Sequence, residues 1–110
     1  MTRVPAPAGG AITGKMTHYE LQWLIEDLCR QLGYRFYAPR TSVTAQAGWF
    51  DIVIFGEHTA LCVELKAEDG RRTRAQQQTA ADAQRCGWQY RLWRPSHWNN
   101  GTIRKDLETL

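Results

Sequence analysis

The 110-residue chain is long enough for one compact domain with an ordinary hydrophobic core and too short for two. Hydrophobic residues at 43% and charged residues at 23% are the proportions of a soluble globular protein, and no run reaches the roughly 18 apolar residues of a membrane-spanning helix. A net charge of +3 with a pI near 9.0 leans towards polyanionic partners without specifying one.

Residues 1–15 have no apolar stretch of the secretion-signal kind and read as a flexible Pro/Gly/Ala-rich segment ahead of a domain spanning 16–110. The first helix is capped by Thr17, and Leu21, Leu24, Ile25, Leu28 and Leu32 recur at the spacing of one buried face. Glu26 falls on the opposite, solvated side, and Gly33 supplies the stop. Tyr34 to Tyr37 reads as a short strand ended by Pro39, and residues 40–48 are polar and turn-like. Trp49 to Phe55 and Ala60 to Ala67 are two strands joined by Gly56-Glu57-His58-Thr59, a hairpin signal. Glu68-Asp69-Gly70 breaks the second of them. A second helix starts at Thr73, runs through Gln76 and Ala80 to Cys86, and is closed by Gly87. Trp88 to Arg94 alternates as another strand, Pro95 ends it, and Ile103, Leu107 and Leu110 follow at helical spacing. The order predicts an α/β fold in which a mixed sheet with a central hairpin is flanked by helices. Cys29, Cys62 and Cys86 are odd in number, widely spaced and set in apolar patterns, which favours reduced thiols in the cytoplasm over a disulfide framework. His18, His58 and His97 have no Cys or His neighbour at ligand spacing, which argues against structural zinc.

The hairpin carries the chemistry. With the turn centred between Glu57 and His58, Phe55 faces Ala60, Val53 faces Cys62 and Asp51 faces Glu64. Alternation then puts Phe50, Ile52 and Ile54 on one face with Leu61, Val63 and Leu65, an apolar set that must be core. The other face holds Asp51, Glu64 and Lys66 among enough apolar residues to call for a cover. Two carboxylates directly opposed across a pair of strands repel. A divalent cation with a taste for hard oxygen ligands, magnesium or manganese, relieves that repulsion. Lys66 on the same face can orient a water and neutralise developing charge. The competing reading is an exposed face on which Glu64 and Lys66 form a surface ion pair worth at most about 1 kcal/mol.

Glu20 borders the apolar stripe of the first helix and can reach the sheet edge, or can serve with Thr17 as a capping box. Gln76 lies one turn into the second helix, the first of three consecutive glutamines. Arg71, Arg72 and Arg74 cluster beside the end of the strand bearing Glu64 and Lys66, and with Arg40 they are candidate phosphate contacts. Trp88, Trp93 and Trp98 fit core or interface positions better than base-stacking platforms.

In order along the chain, Gly48-Trp49-Phe50-Asp51-Ile52-Val53-Ile54, Val63-Glu64-Leu65-Lys66-Ala67 and Asp69-Gly70-Arg71-Arg72-Thr73-Arg74-Ala75-Gln76 resemble the VRR-NUC family, a branch of the PD-(D/E)XK nuclease superfamily. Cys86-Gly87-Trp88 and Leu92-Trp93-Arg94-Pro95-Ser96 look like its final strand, and Glu20-Leu21-Gln22 like its first-helix motif. The resemblance implies a restriction-endonuclease-like core and a divalent metal held by Asp51, Glu64 and the Leu65 carbonyl. It also implies Lys66 as the water-activating residue, with Gln76 and Glu20 as further site residues. Stand-alone members of this size look like Holliday-junction resolvases, which implies branched DNA as substrate and a homodimer, whose two-fold axis suits symmetric cleavage. The chain departs from the family in having Phe50 where Pro is usual, and Ala38 and Val43 where many relatives carry His and Arg. The expectation is therefore a metal-dependent endodeoxyribonuclease of the cytoplasm. Its rivals are a non-catalytic nucleic-acid-binding module on the same fold and an interaction subunit of a repair or replication complex.

Overall fold

The computed structural model describes residues 15–39 and 46–110. The expected flexible segment as far as residue 14 lies outside the described residues, as do Arg40 and Val43. The elements run α1 (His18–Leu32), β1 (Arg35–Tyr37), β2 (Ile52–Phe55), β3 (Ala60–Leu65), α2 (Arg74–Arg85), β4 (Gln89–Trp93), α3 (Pro95–Asn99) and α4 (Thr102–Glu108). The four strands form one sheet in the order β1-β2-β3-β4. The first two pairings are antiparallel and β3 with β4 is parallel, so the sheet is mixed and α2 is the crossover between its parallel strands.

Strand alternation divides the core in two. Leu61, Val63 and Leu65 of β3, with Ile52, Ile54 and Trp93, pack under Leu21, Ile25 and Leu28 of α1 and Ile103 and Leu107 of α4. Cys62 of β3 and Tyr90 of β4 face the other way, against Ala80 and Ala83 of α2. Helices therefore cover both faces of the sheet. The expected cover over the Glu64 face is α2.

The helix ends follow the sequence. At α1 the Thr17 side chain accepts the Glu20 amide, and Gly33 leaves the helix at φ +79° with its own amide and that of Tyr34 returned to Arg30 and Cys29. At α2 Thr73 and Gln76 make both bonds of a capping box. Pro95 ends β4 as expected and also opens α3 at its first turn, a position where its missing N–H costs nothing.

Three expectations are corrected. First, β2 begins at Ile52, not Trp49, and Phe50 joins Cys62 and Tyr90 on the α2 side. Ile52 is the register partner of Val63, yet the Asp51 amide also donates to the Val63 carbonyl at 2.9 Å. Two residues thus oppose one, as in a β-bulge, and the extra residue turns Phe50 to the opposite face. Second, Glu26 is 1% exposed and not solvated. Gln22 donates to it at 2.9 Å and Arg30 lies 3.6 Å away, each four residues off on the same helix face. Third, Asp51 is not the register partner of Glu64: the pairing ends at Ile52 with Val63, and the bulge bonds Asp51 to Val63 and Leu65 instead. Of the tryptophans, Trp93 is core, Trp98 is partly buried against the core and Trp88 is 53% exposed.

Candidate functional site

Of the residues singled out from sequence, Asp51, Lys66 and Arg72 act electrostatically on Glu64, at the end of β3. Glu64 is the fifth of the six β3 residues and is fully buried, at 0% exposure. Its Oε2 accepts the Tyr90 hydroxyl at 3.3 Å, and its Oε1 has no hydrogen-bond partner among the described residues. Burial raises the Glu64 pKa above the ordinary carboxylate range; the Tyr90 hydroxyl pulls it down, the Asp51 charge pushes it up, and Lys66 and Arg72 pull it down.

Asp51 sits on the bulge. Its amide is bonded to the residue before Glu64, and its Oδ2 accepts the amide of the residue after it, Leu65, at 2.7 Å. The side chain stands in for the ladder carbonyl that the bulge displaces. Asp51 Oδ1 faces His18 Nε2, 3.8 Å away. Glu64 therefore has one oxygen bonded and one buried without a partner, whereas the partly exposed Asp51 has one oxygen bonded and the other facing His18. Hydrogen-bonded acceptors hold still, while an unpartnered buried oxygen costs roughly 1–3 kcal/mol unless something arrives to satisfy it. A hard cation is such a partner.

Lys66 continues β3 beyond Glu64, its amide donating to the Trp93 carbonyl, and its ammonium acts on the Glu64 charge. Behind it the chain turns through residues 67–70 in a loop held from one point. The Arg94 guanidinium donates to the carbonyls of Ala67 at 2.7 Å, Gly70 at 2.6 Å and Glu68 at 3.3 Å, while the Glu68 carboxylate accepts the Ser96 amide of α3. On the opposite approach, Gly48 at φ +82° lies against the Ala75 backbone of α2, and only a residue without Cβ fits there. Those two contacts fix where the chain enters Asp51 and leaves Lys66.

The other expected residues divide. Arg72 turns inward and donates to the Tyr90 hydroxyl at 3.3 Å, while Arg71 and Arg74 are exposed. Glu20 accepts the Thr17 hydroxyl at 3.1 Å at the start of α1. The Gln76 carbonyl accepts the Thr73 amide at 2.9 Å. Both are engaged in caps, and neither has a described contact with Asp51, Glu64 or Lys66. Among the described residues no group of three or more His, Cys, Asp and Glu side chains is arranged to hold a metal. Leu65 contributes its position between the Asp51 bond and Lys66. Sequence reasoning missed two residues. Tyr90 follows from its alternation with Leu92 once β4 is known to run parallel beside β3, pairing Cys62 with Tyr90 and Glu64 with Leu92. His18 carries no such signal, because its place depends on how the first turn of α1 meets the bulge. The three cysteines are unpaired, with Cys29 and Cys62 buried and Cys86 exposed. No family model, no curated protein and no solved structure matches the chain.

Proposed function

We propose that the chain is a divalent-metal-dependent DNA endonuclease on a restriction-endonuclease-like core. One observation carries this reading: Glu64 is a fully buried carboxylate with an unpartnered oxygen, and the charge of a second carboxylate, Asp51, acts on it. Burying a carboxylate costs several kcal/mol, and a neighbouring carboxylate adds to that. Magnesium or manganese held by Asp51, Glu64 and the Leu65 carbonyl offsets both terms. When bound, such an ion lowers the pKa of a water and stabilises charge on a phosphoryl oxygen.

The chain's own groups supply the rest. Lys66 places a positive charge beside the carboxylates, where it can hold the proton balance of a nucleophilic water and meet negative charge on the phosphate. Exposed Arg71 and Arg74 suit contacts to the DNA backbone, which position a duplex without reading its sequence. Branched DNA and a homodimer belong to the same proposal, since two sites about a two-fold axis can cut both strands of a junction. The unpaired thiols fit a reducing cytoplasm. Among the described residues no helix is long and apolar enough to cross a membrane.

The test is cleavage of a panel of four-way, fork, flap and linear DNA with magnesium or manganese. Nicking that EDTA abolishes, and that Glu64→Gln and Lys66→Ala lose, is the expected result; nicking that survives both substitutions sinks the assignment. A second reading draws on the donor set being two carboxylates, with Glu20 turned to a cap: a module that binds DNA and does not cut it. It requires tight DNA binding with no carboxylate-dependent affinity for manganese.

A further inference from the structure

Tyr90 holds Glu64 in a fixed orientation through a polar chain that starts at Arg72, and this chain deepens the metal-site reading on which it rests. The phenol oxygen receives a hydrogen bond from Arg72 Nη1 at 3.3 Å. A phenol has one hydrogen, and with the guanidinium donating to its oxygen that hydrogen is left for another acceptor. The acceptor in reach is Glu64 Oε2, also at 3.3 Å. The order Arg72→Tyr90→Glu64 therefore has a single direction of donation. It engages one carboxylate oxygen and leaves Oε1 buried without a hydrogen-bond partner among the described residues.

The setting makes the hydroxyl costly to keep for any other purpose. Tyr90 is 9% exposed and its ring packs on Phe50 at 6.0 Å between centroids, within the apolar layer under α2. A phenol carries its proton at neutral pH, so the hydroxyl is a donor. A phenylalanine would fill the same space without bringing a polar atom into that layer.

We propose that Tyr90 is a positioning residue for the metal ligand Glu64, oriented by Arg72, which on this account serves the carboxylate and not the DNA backbone. Outer-shell hydrogen bonds to a ligating carboxylate of this kind are typically worth 10- to 100-fold in metal affinity.

The experiment is a calorimetric titration of the intact chain with Mn2+ alone, without DNA, on wild type, Tyr90→Phe and Glu64→Gln. Tyr90→Phe keeps the ring against Phe50, and its metal-free melting temperature is expected to stay within a few degrees of wild type. Its Mn2+ affinity is expected to fall roughly tenfold or more. In nicking assays its half-saturating Mn2+ concentration rises by the same factor, while the rate at saturating Mn2+ recovers most of the wild-type value. A purely packing role moves neither quantity. Wild-type affinity in Tyr90→Phe, together with lost binding in Glu64→Gln, overturns the role of Tyr90 and leaves the nuclease reading in place. Absence of Mn2+ binding by wild type, or undiminished binding by Glu64→Gln, overturns both.

Discussion

Asp51 accepts the Leu65 amide through Oδ2 at 2.7 Å, so the same side chain that offers an oxygen to the site also closes the hairpin at its open end. Asp51→Asn keeps a carbonyl for that bond, and Asp51→Ala leaves the Leu65 amide without it. We expect Asp51→Asn to retain wild-type stability within about 1 kcal/mol and Asp51→Ala to lose about 1–3 kcal/mol. Both are expected to lose nicking. Urea unfolding beside a cleavage assay separates the structural part of Asp51 from its chemical part.

Glu64 gives a pH signature. Its pKa in the folded chain is raised above that of the unfolded chain, chiefly by burial. Folding is therefore opposed by ionisation: as pH rises from the ordinary glutamate value through the raised one, metal-free wild type loses stability that Glu64→Gln does not lose. Melting curves in EDTA across pH 4–8 are expected to show the variant gaining on wild type as pH rises. A difference that is flat with pH contradicts the buried-carboxylate account.

Gly48 sits at φ +82°, and a Cβ added there would lie 2.6 Å from the Ala75 backbone. Gly48→Ala is expected to cost about 1–3 kcal/mol, from the backbone conformation alone and more from the clash. The displacement runs into Asp51 three residues later, so nicking should fall further than stability predicts. Activity measured well below the variant's melting temperature reads that excess.

Arg71, Arg72 and Arg74 are not equivalent. Arg71 and Arg74 are exposed, whereas Arg72 is committed to Tyr90. Arg71→Ala and Arg74→Ala are each expected to reduce the slope of log affinity for DNA against log salt by about one, the signature of one lost phosphate contact. Arg72→Ala is expected to leave that slope unchanged and to alter metal dependence instead. Fluorescence anisotropy with a labelled duplex at several salt concentrations makes the comparison.

Much of the hairpin is legible in the sequence. Phe55 against Ala60 and Val53 against Cys62 follow from the turn position and alternation alone, and both pairings are observed. The bulge was not legible, because it exists through a side chain, Asp51, taking over a backbone role at 2.7 Å. That is why Phe50 was placed on the wrong face. Glu26 was misplaced for a related reason: helical periodicity assigns a direction, but not what Gln22 and Arg30 do with their long side chains once there. Tyr90 stayed hidden because strand order across a parallel crossover is not written in local pattern. Glu20 and Gln76 show the converse, since a Thr followed three residues later by Glu or Gln has a local use, and the helix ends took it.

Arg94 lies outside the carboxylate pair, yet its one planar group binds three main-chain carbonyls, those of Ala67, Glu68 and Gly70, between β3 and α2. A stretch gripped in that way enters a complex with its freedom already surrendered, so the basic residues just beyond it meet a ligand without a further ordering cost. Rigidity of this kind sets a fixed span between the carboxylates and the arginines. On the proposed function, tolerance for differently shaped backbones is decided by that span, and not by how far the surface can adapt.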